Sequence, residues 1–434
     1  MNHLAFELNS VLDGTVAGRL LSNFGRRLYF PKGIIVQSAE AKKSAYEANG
    51  TIGMAYSGGT PLILSAIADN MPSLGPEESV AYAPTAGVEK TRTVWKKLII
   101  QKNPSLDPEG ISFPVVVPGL TAGLSYTADM FVSKGSIVLA SDPCWDNYSL
   151  IFEVRRGAKL TGVPFFGNSA NGLDMEAIER SLGETAKTGA ARIVFNFPNN
   201  PSGYSPTNAE AEALAVLIRK TAEKGADVLV VCDDAYFGLF YEKNIIKESL
   251  FARFAGLHEK VLAVKIDGPI KEDYTWGLRT GFLTFGSKGL KAAHYEALVT
   301  KLTGAIRSSV SSSNTPAQYI MLKAMEDSRT PGEKEKYRSL LRRRYNTVKK
   351  IVHENSGHPA LSPLPFNSGY FMSFRCNGIN AETLRRELLS KHGIGTVALG
   401  EQYLRIAFSS LDEEKIPGVY RVVYDTAAEL SAGR

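Results

Sequence analysis

The sequence predicts an α/β fold, with a large domain built on a mostly parallel sheet between helices and a smaller α+β domain. Three observations carry this. Between about residues 110 and 290, short β-branched runs alternate with longer stretches at helical spacing, the pattern of a parallel sheet covered on both faces. Several runs are continuously apolar instead of alternating, as strands buried on both sides must be. From about residue 316 the texture changes to a long charged helical region, EKEKYRSLLRRRYNTVKKIVHE, with two more strand-like runs after it.

In chain order, residues 1–60 lack strong periodicity and are read as an N-terminal arm that joins the smaller domain. The large domain is placed at 61–318. Its candidate strands are SFPVVVPG, GSIVLASD, ARIVFNFP, DVLVVCDD, KVLAVKID and GFLTFGS. Asn208 to Gly225 sets Ala, Leu and Ile at helical spacing after a Ser205-Pro206-Thr207 turn signal and stops at a glycine, so it reads as a crossover helix. The small domain, 319–434, contributes the strands GYFMSFR and LRIAFSS.

A chain of 434 residues, 44% hydrophobic, can bury one large core and a smaller one beside it. Its net charge of +6 is spread among dispersed acids and bases, too mild for a nucleic-acid partner. No basic stretch followed by an apolar run opens the chain, and no segment reaches the roughly 18 apolar residues of a membrane span. The expectation is a soluble, cytoplasmic protein without membrane contact. Cys144, Cys232 and Cys376 lie far apart without metal-ligand spacing, and read as reduced thiols.

Ligands of open α/β sheets sit at the carboxyl ends of strands. Those ends contain Gly119-Leu120-Thr121, Asp142-Pro143-Cys144-Trp145, Asn199-Asn200-Pro201-Ser202-Gly203, Asp233-Asp234-Ala235-Tyr236, Lys271 and Gly277-Leu278-Arg279-Thr280-Gly281. Singly each has a bland reading: a turn for Asn-Pro-Ser-Gly, core packing for Trp145 and Tyr236, a solvated surface group for a lysine. Their order is what discriminates.

In that order they resemble the class I/II aminotransferases of pyridoxal 5′-phosphate (PLP) fold type I, over nearly the whole chain and closest to the aspartate and aromatic amino-acid branch. The resemblance implies a seven-stranded-type large-domain sheet and a small domain drawn from both chain ends. It implies PLP held as a Schiff base on Lys271, eight positions before Arg279 (279 − 271 = 8), with Arg279 on the cofactor phosphate. Lys265 is the rival at an interval of 14 (279 − 265 = 14), on a strand where it points into or across the sheet. Asp233 is implied as partner of the pyridine nitrogen, with Asp234 the competitor on the opposite strand face. Asn200 and Tyr236 are implied at the cofactor's phenolic oxygen, Tyr236 as a catalytic residue with Lys271 and Asp233, and Asn200 also at the substrate.

Backbone N–H groups of Leu120 and Thr121, after Gly119, open a helix and are expected to bind phosphate. By resemblance Tyr82, in YAPTAG, reaches that phosphate from a second subunit, which implies a homodimer with shared sites. Trp145 is implied to stack on the cofactor and to approach the substrate, and Tyr148 to hydrogen-bond Asp233. Arg405 is implied at the substrate α-carboxylate and Arg307 at the side-chain carboxylate of a dicarboxylic substrate in the partner's site. One departure stands out: relatives often carry Ser three positions before the lysine, where this chain has Gly268.

The implied reaction is ping-pong transamination between an aspartate/glutamate or aromatic amino acid and a 2-oxo acid such as 2-oxoglutarate. A β-lyase or decarboxylase on the same site is the alternative. A PLP-type effector-binding regulator is a further one, but the first sixty or so residues show no helix-turn-helix pattern.

Overall fold

Three short helices begin the described chain: α1 (His3–Leu12), α2 (Val16–Leu20) and α3 (Asn23–Arg27). Ser and Thr side chains set their starts, Thr15 accepting from the Gly18 amide and Ser22 from that of Gly25. The computed structural model describes residues 3–29, 56–57, 60–61, 74–167, 172–411 and 413–432. The expectation that residues 1–60 join the smaller domain fails over 3–29. Leu12, Val16, Leu20 and Leu28 are buried in the large-domain core instead. Arg19 pairs with Asp227 at 2.6 Å, and the buried Lys301 ammonium donates to the carbonyls of Gly25 and Leu28, each at 3.0 Å. Of the rest of that arm, only a two-residue pairing of β1 (Tyr56–Ser57) with β2 (Thr60–Pro61) lies within the described residues.

The large domain then adds α4 (Pro76–Ser79), α5 (Glu89–Lys102), β3 (Val115–Val117), α6 (Leu120–Phe131), β4 (Ile137–Ser141), β5 (Lys159–Val163), α7 (Met175–Ala186) and β6 (Ala190–Asn196). It continues with α8 (Asn208–Glu223), β7 (Asp227–Asp233), α9 (Leu250–Phe254), β8 (Val261–Asp267), β9 (Gly281–Gly286), α10 (Ala292–Arg307) and α11 (Thr315–Glu326). The seven strands lie in the order β3-β9-β8-β7-β6-β4-β5. Only β9 runs against its neighbours; the other pairings are parallel. Every residue of β7, β8 and β9 is buried, which explains their unbroken apolar runs. Layers on both faces cover the sheet: α6, α10 and the N-terminal helices against Val231 and Val264, and α7, α8 and α9 against Val230 and Ala263.

α11 packs on α4 and α5, with the Gln318 side chain accepting from the Val88 amide at 2.7 Å. Residue 319 therefore falls inside a helix seated on the large domain, and the junction lies at Asp327–Arg329 instead. Beyond it come α12 (Thr330–Glu354), β10 (Leu361–Pro363), β11 (Phe371–Cys376), α13 (Ala381–His392), β12 (Val397–Leu399), β13 (Tyr403–Ala407) and α14 (Ile416–Ala432). Here an antiparallel sheet, β10-β11-β13-β12, shares a core with Tyr345, Val348 and Val352 of α12 and Tyr420 of α14. No described helix is long and apolar enough to cross a membrane.

Candidate active site

Parallel strands align their carboxyl ends on one edge, and a cleft opens there. Leu120, Thr121, Leu124, Trp145, Asn196, Asn200, Asp233, Ala235, Tyr236, Ile270, Lys271 and Arg279 line it. It measures about 530 Å³, counting the part open to solvent, within the size range of cofactor pockets.

Asp233 ends β7 and is 3% exposed. The Tyr148 hydroxyl donates to its Oδ2 at 2.6 Å, whereas Oδ1 is buried with no hydrogen-bond partner. Burial pushes this carboxyl up; the Tyr148 hydroxyl, the Lys271 ammonium and the Ala235 amide pull it back. Tyr148 is fixed by edge contacts, its ring centroid 5.6 Å from Trp145. Asn196, which the motif reading passed over, stands opposite Asp233 in the β6–β7 register. It donates to the Asp233 carbonyl at 2.8 Å and accepts from the Asn200 amide at 2.7 Å, so it ties two strand ends together. Its position two residues before Pro198, at the end of an apolar strand, was the available signal.

Lys271 lies on a turn after β8, its ammonium 4.8 Å from the Tyr236 ring centroid. Burial lowers its affinity for a proton, Asp233 opposes that and Arg279 adds to it. Lys265 stands elsewhere, fully buried inside the sheet and ion-paired with Asp234 and Asp267. Strand alternation accounts for both separations: Asp233 lines the cleft, whereas Asp234 reaches Lys265 and Ser249. Tyr236 is 7% exposed, and burial raises its phenol.

Gly119 caps α6 with φ +88°. A Cβ there would lie 2.5 Å from an Arg279 nitrogen, so the guanidinium passes directly over it and only glycine fits. Arg279 and the first residues of α6 thus meet at one end of the cleft, an arrangement of donors suited to an anion. Gly268 is explained by the same crowding: a Cβ would lie 2.9 Å from the Thr280 carbonyl oxygen and 3.0 Å from the Gly281 Cα. Close approach of the β9 backbone excludes a serine at this position.

Arg405, on β13, donates to Asn200 Oδ1 at 2.8 Å, its guanidinium 4.3 Å from the Phe371 ring centroid. Its Nε is buried without a partner. Trp145 lines the cleft after β4. Gly119, Tyr82, Arg307 and Arg405 are not among its lining residues, although Arg405 bonds to Asn200, which is. Tyr82 is 69% exposed, and Arg307, at the end of α10, donates to the neighbouring Ser311.

A buried carboxylate with a spare oxygen, a helix N-terminus under an arginine, a lysine of lowered proton affinity and an indole beside them are the groups a flat, cationic-ring phosphate cofactor needs. Comparison with known proteins gives the same class. The family model of aminotransferase class I and II matches residues 56–422. The probable aspartate/prephenate aminotransferase of Aquifex aeolicus is 24% identical over 80% of this chain and 83% of its own. The arginine–pyruvate transaminase of Pseudomonas aeruginosa is 27% identical over 67% of this chain and 66% of its own. An aminotransferase structure from Anaerococcus prevotii superposes with a TM-score of 0.72 at 21% identity, covering 98% of this chain and 97% of that one. The chain belongs to the class I and II aminotransferases. It is a PLP-dependent transaminase of fold type I. PLP fits the residues present: the spare Asp233 oxygen suits a protonated ring nitrogen, and the α6 amides with Arg279 suit its phosphate.

Proposed function

We propose that this enzyme transfers the amino group of aspartate, glutamate or an aromatic amino acid to a 2-oxo acid, 2-oxoglutarate foremost. In this reading Lys271 holds the cofactor, Asp233 keeps its ring nitrogen protonated, and Asn200 and Tyr236 hold its phenolic oxygen. Bound PLP supplies an electron-withdrawing ring beside the substrate Cα. The Lys271 amine, whose affinity for a proton burial lowers, takes the Cα proton once it is neutral. Arg405, bonded to the cleft residue Asn200, grips the α-carboxylate with its guanidinium. Trp145 covers one face of the ring. Tyr82 and Arg307 complete the site of a second subunit in a homodimer, Arg307 meeting a side-chain carboxylate.

The observation that carries this reading is the joint presence in one cleft of Lys271 and of Asp233 with its spare oxygen. Aspartate and aromatic substrates rest on the resemblance of the motifs and on relatives bearing those names. The test mixes holoenzyme with single amino acids and follows the visible absorbance. Aspartate and glutamate should bleach the cofactor band and 2-oxoglutarate restore it. Conversion by arginine with pyruvate, and not by dicarboxylates, would move the substrate class. Borohydride should attach the cofactor to Lys271, and Lys271→Ala should lose both this trapping and turnover; attachment to Lys265 would reverse the assignment.

A further inference from the structure

Beside the cleft lies a buried ion cluster to which the proposed chemistry gives no task. Glu272 follows Lys271 and is 8% exposed. Its Oε2 is 2.5 Å from the Lys102 ammonium at the end of α5. Its Oε1 is 3.3 Å from Lys334 and 3.9 Å from Arg338, both on the first turns of α12. Lys334 also pairs with Asp273. Burial alone would push the Glu272 carboxyl up; Lys102 and Lys334 overcome this and hold it below the usual range. The same carboxylate touches the loop that carries Tyr236, since a Cβ at Gly238 would lie 2.6 Å from its carboxyl carbon.

The Lys271 turn is closed on itself. Tyr370 donates to the Lys271 carbonyl at 2.8 Å, and the Thr275 amide to the Ile270 carbonyl at 3.0 Å. Tyr274 takes up a left-handed φ of +58°. So tight a turn moves as a unit, and its outward anchor is Glu272. α12 runs from that anchor into the small-domain core at Tyr345, Val348 and Val352.

We propose that Glu272, clamped by Lys102, Lys334 and Arg338, is a positioning residue that fixes the Lys271 turn and the Tyr236 loop to α12. The seating of the small domain then sets how deep the Lys271 amine lies in the cleft. This rests on the reading of Lys271 as the cofactor-binding lysine.

Position and direct charge make opposite predictions. The charged and titratable groups that bear on the Lys271 amine are Asp233 of β7, Arg279 and Tyr236, and no member of the cluster is among them. Were Glu272 felt only as a negative charge, Glu272→Gln would make Lys271 release its proton at lower pH. Were it an anchor, Glu272→Gln would loosen the turn, let water reach the amine and shift its titration to higher pH. The experiment is competitive acetylation of Lys271 against pH, read by mass spectrometry on the full-length protein freed of cofactor. Midpoints should rise by about half a pH unit or more in Glu272→Gln and in Lys334→Met, and stay with the parent in Lys334→Arg. With cofactor restored, kcat should fall about tenfold in the first two while KM changes little. A Glu272→Gln midpoint that falls or stays put overturns the proposal. If that variant does not fold, Glu272→Asp carries the test, since it keeps the charge and shortens the anchor: a rise is expected, and no change overturns the proposal. Borohydride trapping on the parent stands apart: a label on another lysine refutes the reading of Lys271 itself, whatever the variants do.

Discussion

At the scale of single residues, two neighbouring carboxylates have opposite employments. Asp233 faces the cleft with a spare oxygen, and Asp234 neutralises buried Lys265. Asp233→Asn should therefore slow the amino-acid half-reaction at least a hundredfold, measured by stopped-flow absorbance, while the fold persists. Asp234→Asn should instead destabilise, since breaking a buried pair costs about 3–5 kcal/mol; a kinetic loss of that size in Asp234→Asn with Asp233→Asn nearly normal would reverse the assignment. Tyr148→Phe removes a hydrogen bond to a charged group, worth about 1.5–3 kcal/mol, and should cost roughly ten- to a hundredfold in the same step. The pH dependence of cofactor reloading follows with a definite sign. Lys271 must be neutral to react, and burial lowers its proton affinity, so the rate should reach half its maximum below the range of a surface lysine. Arg279 helps expel that proton, and Arg279→Gln should move the midpoint up; Asp233 retains it, and Asp233→Asn should move the midpoint down. The pairing of Asp233 and Asp234 was legible because strand alternation is a fixed period. Asn196 was not, because its work is to hold two backbones and no motif marks that.

Among elements, legibility followed length and burial. β7 and β8 announced themselves as apolar runs buried on both faces. β5, KLTGV, escaped because it is an edge strand with an exposed lysine and a glycine, where nothing forces an apolar pattern. β10 and β12 are three residues each, and α2 and α3 five each, too short for any periodicity to show. The phosphate site shows how packing overrides a motif. Gly268→Ser restores the hydroxyl common among relatives, yet its Cβ would press on the Thr280 carbonyl. It should weaken PLP binding severalfold in a fluorescence titration; tighter binding would show that β9 can yield at that point.

For the whole molecule, the motif order in the sequence pointed to the family, but which surface each helix covers was not written in any motif. α1–α3 carry no signal that separates the large domain from the small one as their host. Tyr82 and Arg307, two of the site candidates absent from the cleft lining, are proposed to act across a dimer interface. Light scattering should show a dimer at assay concentration, and an active monomer would remove both from the site. Arg307→Leu should lower kcat/KM for dicarboxylic substrates about thirtyfold or more and spare aromatic ones. Equal losses would make Arg307 structural.

The seat of α1–α3 also has a consequence for the order in which the chain is made. Their partners are Asp129 and Met130 beside Ser22, Asp227 beside Arg19, and Lys301 beneath Leu28. On a ribosome adding about 5–20 residues per second, residues 3–29 wait on the order of tens of seconds before Lys301 exists. Leu12, Val16 and Leu20 cannot complete their burial until that interval ends. Residues 3–29, made before every one of these partners, are thus among the last to dock, after the strands of the sheet have been made.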